Sequence, residues 1–196
     1  FCLFLNKYYS TMTTQAFIFA RGGSKGLPKK NIKKLNGKPL LLYSIEIAKQ
    51  IKEISKIFVS TDDDEIAAIA MEAGVDVINR PEELSTDDSP EILSWKQAIE
   101  FTSNNNIECT KFISIPTTAP LRTKEDIQTC LNLFDESTDV VVTISNSHRN
   151  PYFNMVSMNE DSYVELLKND GDEYFRRQDV PKTYDLTTVA YVSRPE

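Results

Sequence analysis

"AFIFARGGSKGLPKKN", residues 16–31, decides the fold. Its opening residues, Ala16 to Ala20 with Phe and Ile in an unbroken run, follow the pattern of a strand buried on both faces. From Arg21 the character reverses. Arg21–Asn31 carries three glycines, four cationic side chains and one proline. Gly22, Gly23 and Gly26 are expected to take positive φ and bring backbone close to a ligand. Successive exposed N–H groups there make a nest for an anion. Arg21 and Lys25 add charge, and an arginine grips phosphate oxygens in bidentate fashion. The alternative is a glycine-rich surface turn with solvated lysines. The placement of Arg21, Lys25, Lys30 and Asn31 directly after a strand favours phosphate, with a nucleoside triphosphate as the natural ligand. The spacing is neither G-x-x-x-x-G-K-[ST] nor G-x-G-x-x-G.

Strand and helix signals alternate along the rest of the chain. Gly37-Lys38-Pro39 opens a helix, with Pro near its first turn and Leu41, Ile45, Ala48 and Ile51 on one face. Ile57–Ser60 is a second buried strand. It runs into Thr61-Asp62-Asp63-Asp64, where carboxylates suit a helix N-terminus. That helix stops at Gly74. Residues 75–79 make a third strand, 80–90 a loop, and Glu91–Thr102 a helix. Lys111–Ile115 is a fourth strand, Lys124–Phe134 a helix, and residues 139–145 a fifth strand. The rhythm predicts an α/β fold, a mainly parallel sheet with helices on both faces and right-handed crossovers. In such sheets ligands lie beyond the carboxyl ends of the strands. The loops at Arg21, Asp62, Arg80 and Pro116 therefore share one rim. After Ser147 the rhythm changes to a hairpin-like pair, a polar stretch and a final strand at Thr188–Ser193.

The 196 residues suit one domain with a real core. A net charge of −7 argues against a general nucleic-acid binder, which needs a broad basic face. The basic loop is thus local, a site for a small anion on an acidic protein. No stretch approaches the length of a membrane span. Cys2, Cys109 and Cys130 match neither a metal knuckle nor a redox pair, and three reduced thiols fit the cytoplasm. Residues 1–15 read as a disordered leader ahead of a single domain at 16–196, with Met12 as the natural start.

"ARGGSKGLPKKNI", "VSTDDDEIA", "NRPEELSTDDSP", "APLRTKEDI" and "RRQDVPKTYDL" occur in the order and at the spacing of one family. From Ala16 onward the chain resembles the acylneuraminate cytidylyltransferases, the family of CMP-sialic acid and CMP-legionaminic acid synthetases. The resemblance implies a Rossmann-like nucleotidyltransferase fold with a small β-rich dimerisation or lid segment, at residues 150–185. It implies CTP and a nine-carbon 2-keto sugar acid as substrates, Mg²⁺ as cofactor, and a homodimer. It assigns Arg21 and Lys25 to catalysis on the triphosphate. Gly22, Gly23, Ser24, Gly26, Lys30, Asn31 and Arg80 fall to nucleotide binding. Arg80 has an ion pair with Glu82 or Glu83 as its alternative, and Asp87 either caps the next helix or orients Arg80. Arg122, Arg177, Gln178, Tyr184 and Asp185 fall to the sugar side, with a solvated turn as the alternative for Arg177 and Gln178. His148 is a poor general base, with no partner near it in sequence.

Three departures qualify the resemblance. Pro116 stands where sialic acid enzymes carry a glutamine. "HRNPYFN", residues 148–154, and "PKTYD", residues 181–185, resemble the branch that activates legionaminic acid. The family's Asp-x-Asp metal motif lies in a tail beyond the last residue, so the chain reads as C-terminally truncated with its metal ligands unknown. Two alternatives remain: a transferase for another acidic sugar, such as a 3-deoxy-octulosonate enzyme, or an inactive fragment that only binds nucleotide.

Overall fold

The computed structural model describes residues 12–168, 171 and 174–195. The first strand, β1 (Thr14–Phe19), starts two residues before the expected boundary. A short hairpin follows, β2 (Lys34–Leu35) with β3 (Lys38–Pro39). Asn36 and Gly37 form its turn at φ 49° and 81°, which is Asn-Gly chemistry. Helix α1 (Leu40–Ala48) starts after this hairpin, so Pro39 is its N-cap instead of a first-turn residue. Then come β4 (Ile54–Thr61), α2 (Asp64–Glu72) and β5 (Asp76–Asn79). Next are α3 (Glu91–Asn104), β6 (Lys111–Ser114), α4 (Lys124–Leu133) and β7 (Val140–Asn146). The chain continues through β8 (Val156–Met158) and β9 (Val164–Leu166) to β10 (Tyr184–Ser193).

The helix ends obey the local chemistry of the sequence. Asp63 accepts the N–H groups of Glu65 and Ile66 and so caps α2. Gly74, at φ 69°, closes the same helix where an L side chain would be strained. Thr123 and Asp126 form a reciprocal capping box on α4.

The sheet runs β5-β4-β1-β6-β10-β7. β1 lies parallel to both β4 and β6, and β4 parallel to β5. β10 returns antiparallel to β6, with Tyr191 opposite Ser114, so the sheet is mixed although mainly parallel. Alternate residues of β1 feed two cores. Ala16 and Ile18 pack in one with Leu41 and Ile45 of α1, Ile66 of α2 and Ile127 of α4. Phe17 packs in the other with Phe58, Ile78 and Phe112, under Ala98 of α3. Helices therefore cover both faces. The Phe17 ring stacks at 4.7 Å from Phe112 and 5.3 Å from Phe58.

Among the described residues, those up to Val142 and from Thr188 onward form one compact unit, and those between Thr143 and Thr187 another. In the smaller unit β8 and β9 pair as an antiparallel hairpin, Val156 opposite Leu166. Buried Asn150 anchors it by donating to the Pro181 carbonyl and the Thr183 hydroxyl. Cys109 and Cys130 are free thiols, and burial pushes Cys109 up to about 11. Cys2 and the leader expectation for residues 1–11 lie outside the described residues. No helix among the described residues is long and apolar enough to cross a membrane.

Phe17 is fully buried between two rings. Phe17→Ala is expected to destabilise the protein by about 3–5 kcal/mol. Urea unfolding of both forms checks this as a lower midpoint.

Candidate functional site

Three parallel strands end at one rim, and the loops leaving them enclose a cleft of about 310 Å³ in the larger unit. Phe19, Arg21, Ser24, Lys30 and Asn31 enter from the β1 side. Arg80 follows β5, and Pro116, Thr117 and Thr118 follow β6. Asp87, Ser89 and Glu91 close the wall ahead of and at the start of α3, and Thr188 and Tyr191 come from β10.

The glycine loop works differently from expectation. Gly22, Gly23 and Gly26 all avoid positive φ; only Gly37, Gly74 and Gly171 among the described glycines adopt it. Gly22 is needed for a different reason. A Cβ there would sit 2.6 Å from an Asp63 carboxylate oxygen and 2.8 Å from the Asp63 Cβ. The Gly22 N–H donates to Asp62 at 3.0 Å. A Cβ on Gly23 or Gly26 would meet nothing. The loop is thus pinned to the start of α2 at Gly22 and open beyond it. The left-handed residue is Lys29, φ 53°, which leads into a 3₁₀ turn at Lys30–Ile32.

Asp87 corrects a second expectation. It neither caps α3, whose N-cap is Pro90 without a side-chain bond, nor bonds Arg80. It takes the Arg21 guanidinium at 2.7 Å and pairs with the Lys25 ammonium. Arg21 also donates to the Thr86 carbonyl at 2.8 Å. The Lys25 ammonium, and then the Arg21 guanidinium, hold the Asp87 carboxyl below the ordinary carboxylate range against partial desolvation. Two cations converging on one carboxylate make an anion site occupied by the protein's own anion.

Arg80 is buried beneath the cleft. Its guanidinium donates to the Ser60 hydroxyl at 3.1 Å and the Ser60 carbonyl at 2.9 Å, and lies over the Phe19 ring. Its side chain is committed to β4, and the alternative pairing with Glu82 or Glu83 is not what holds it. Burial lowers its pKa, with Asp62 and Glu91 opposing. Asn31 is also buried. It donates to the Arg21 carbonyl at 2.9 Å and accepts the Thr117 hydroxyl at 2.6 Å. Arg122 lies beneath the 116–119 turn and does not line the cleft, where it was expected to bound the pocket.

Arg177, Gln178 and Tyr184 line a groove of about 330 Å³ in the smaller unit, with Asn146, Ser147 and Lys182. Arg177 donates to the His148 carbonyl at 2.6 Å, which turns the backbone of His148 into its working part. Asp185 accepts the Ser147 hydroxyl at 3.0 Å. These residues gather with one another; the cleft of the larger unit is built without them. Thr117, Glu91, Thr188 and Tyr191 were not singled out in the sequence as cleft residues. Thr117 was the most accessible of them, since it directly follows a rim strand.

The carboxylates of Asp62, Asp63 and Asp185 each serve another group. Asp62 is spent on Gly22, Asp63 on the helix cap and Asp185 on Ser147. Among the described residues no three His, Cys, Asp or Glu side chains gather into a cation cage.

Two predictions follow from this geometry. Gly22→Ala is expected to cost about 1–3 kcal/mol by forcing the loop off Asp63, while Gly23→Ala stays near wild type; thermal unfolding distinguishes them. A Lys25→Ala variant is expected to let the Asp87 carboxyl titrate at higher pH than in the wild type, followed by carbon NMR. The Asp87 pairing adds stability above the unfolded carboxylate pKa and loses it as pH falls through the depressed folded value.

The sequence and fold match known proteins. The cytidylyltransferase family model matches residues 16–194. A CMP-N,N'-diacetyllegionaminic acid synthase of Campylobacter jejuni is 34% identical over 178 residues, 89% of this chain and 74% of its own length. An N-acylneuraminate cytidylyltransferase of Streptococcus agalactiae is 31% identical over 90% of this chain, which spans 42% of that protein. Among solved structures, a CMP:2-keto-3-deoxy-manno-octonic acid synthetase complexed with CTP superposes with a TM-score of 0.68 at 20% identity, over 93% of this chain and 74% of that one. That likeness shows a shared nucleotidyltransferase fold. With the family model spanning nearly all of the described fold, the chain belongs to the cytidylyltransferase family of enzymes.

Proposed function

We propose that this chain transfers CMP from CTP to a nonulosonic acid, giving the CMP-sugar and pyrophosphate. The observation that carries the reading is the convergence of Arg21 and Lys25 on Asp87 beside the rim cleft. A carboxylate held by two cations marks where phosphate oxygens are favoured. In this reading the triphosphate displaces Asp87, and Arg21 and Lys25 take its β- and γ-phosphate oxygens. The anomeric hydroxyl of the sugar attacks the α-phosphorus and loses its proton to water, the bond to the bridging oxygen breaks, and the electron pair leaves with pyrophosphate. Arg21 and Lys25 neutralise the charge that grows there, which is catalysis by placed charge. Buried Asn31 and the Lys30 turn hold the nucleoside end. Arg177, Gln178, Tyr184 and Asp185 serve the sugar acid, with Arg177 suited to its carboxylate.

Mg²⁺ is implied by the resemblance, but Asp62, Asp63 and Asp185 are spent on backbone and hydroxyl donors, and the described residues gather no carboxylate cage that fits a protein-held ion. No step is routed through it. Legionaminic acid is the favoured sugar, supported by "HRNPYFN" and "PKTYD" and by similarity to the Campylobacter synthase. N-acetylneuraminic acid is the second reading, supported by the streptococcal relative. A homodimer belongs to the same proposal, supported by the exposed Val156, Met158, Val164 and Leu166 of the β8–β9 hairpin. CTP as substrate puts the reaction in the cytoplasm.

The test is pyrophosphate release with CTP and magnesium salt, comparing diacetyllegionaminic with N-acetylneuraminic acid. Release is expected with the former, and Arg21→Ala is expected to lower kcat by about 10²-fold with an unchanged melting temperature. CTP binding without release from either sugar would reduce the chain to a nucleotide-binding domain.

A further inference from the structure

Arg122 is an unusual arginine. It is 8% exposed, and no carboxylate among the described residues pairs with it. Its Nε donates to the Ala119 carbonyl at 2.9 Å and one terminal nitrogen donates to the Pro116 carbonyl. The other terminal nitrogen is buried without a partner. Burial pulls its pKa down to about 10, with Asp126 opposing, so it remains cationic at neutral pH. A buried cation without a counter-ion is costly. What that cost secures is the shape of one turn. Residues 116–119 are drawn around the guanidinium by two carbonyls. The Ser44 hydroxyl of α1 donates to the same Pro116 carbonyl at 3.1 Å.

The next residue is the consequential one. Thr117 is buried and donates to the Asn31 side-chain carbonyl at 2.6 Å. That single bond orients the Asn31 amide, leaving its NH₂ to hold the Arg21 carbonyl at 2.9 Å. Arg21 is the residue whose guanidinium meets the carboxylate of Asp87. The chain of contacts crosses the sheet rim from the β6 loop to the β1 loop, with its central joint, Thr117 to Asn31, buried and the joints on either side half-buried.

We propose that Arg122 is a positioning residue for the nucleotide cleft: it shapes the 116–119 turn so that Thr117 and Asn31 fix the backbone from which Arg21 reaches the triphosphate. It acts without touching nucleotide or sugar. The inference rests on the reading of the cleft as a CTP site and adds a residue beneath it.

The experiment is a double-mutant cycle on CTP affinity, measured by calorimetry in the absence of sugar, so that no turnover is needed. Arg122→Lys keeps a buried cation but reaches one carbonyl. Thr117→Val keeps the shape of the relay and removes its hydrogen bond. Each is expected to weaken CTP binding about 10-fold, as loss of one buried hydrogen bond would. The double variant is expected to be no more than about 10-fold weaker than wild type, because both changes cut one relay. Losses that multiply to about 100-fold would overturn the relay, as would wild-type affinity in either single variant. A purely architectural Arg122 would lower the melting temperature and leave the CTP affinity of the folded fraction unchanged. If Arg122→Lys does not fold, Arg122→Gln, which keeps a donor for one carbonyl, replaces it in the cycle with Thr117→Val and the same non-additivity is required. Failure of the proposed reaction reads out separately, as CTP binding by the wild type without pyrophosphate release.

Discussion

Everything at the rim depends on the confinement of β1. The strand is hydrogen-bonded along both edges, to β4 and β6, and its side chains are buried on both faces. Such a strand has no freedom to shift by one residue, because a slip would exchange Phe17 and Ile18 between two differently shaped cores. Its last residue therefore delivers the next one to a fixed point. Ala20 is held there by an N–H bond to the Ser60 carbonyl. The same Ser60 carbonyl accepts Arg80, so one backbone oxygen registers the loops after two different strands. The cleft's precision is inherited from the apolar core beneath it.

On that base the site combines two kinds of electrostatics. The contacts among Arg21, Lys25 and Asp87 are exposed, exchangeable and screened by salt. In the proposed reading a triphosphate outcompetes Asp87, since one carboxylate offers less charge than a triphosphate. The contacts among Asn31, Thr117 and the carbonyls of Arg21 and Pro116 are buried or half-buried, and all but the Arg122 donor are neutral, so salt screens them less. The exchangeable part selects for an anion; the permanent part keeps its donors aimed.

The sheet was legible because its strands are short apolar runs ended by polar loops, as in residues 16–31. The α2 cap at Asp63 and the stop at Gly74 were legible from residue type alone. What escaped was long-range. The β2–β3 hairpin is two residues a side, too short to produce a period, although Asn36-Gly37 carried its turn signal. The antiparallel return of β10 depends on which strand it meets, which no local pattern encodes. In the site, the clustering of Arg21 and Lys25 was readable from their spacing. Their partner was not, because Asp87 lies over sixty residues away and its sequence neighbours also suited a helix cap. Gly22 was singled out for the wrong reason: its constraint is a neighbour's carboxylate, which has no local signature.

Arg122 shows the same limit from the other side. In the sequence it is the cation that closes "APLR" and is naturally assigned to an acidic ligand. In the fold its charge is turned inward onto two carbonyl oxygens. A lysine offers a point charge in place of a planar fork and cannot span both acceptors at once. A neutral side chain would leave the Pro116 carbonyl with Ser44 alone. The residue type is thus demanded by the geometry of a turn, and the turn in turn presents Thr117 to Asn31. Charge in a cleft loop need not face the cleft to shape it; here it holds the turn that presents Thr117 to Asn31.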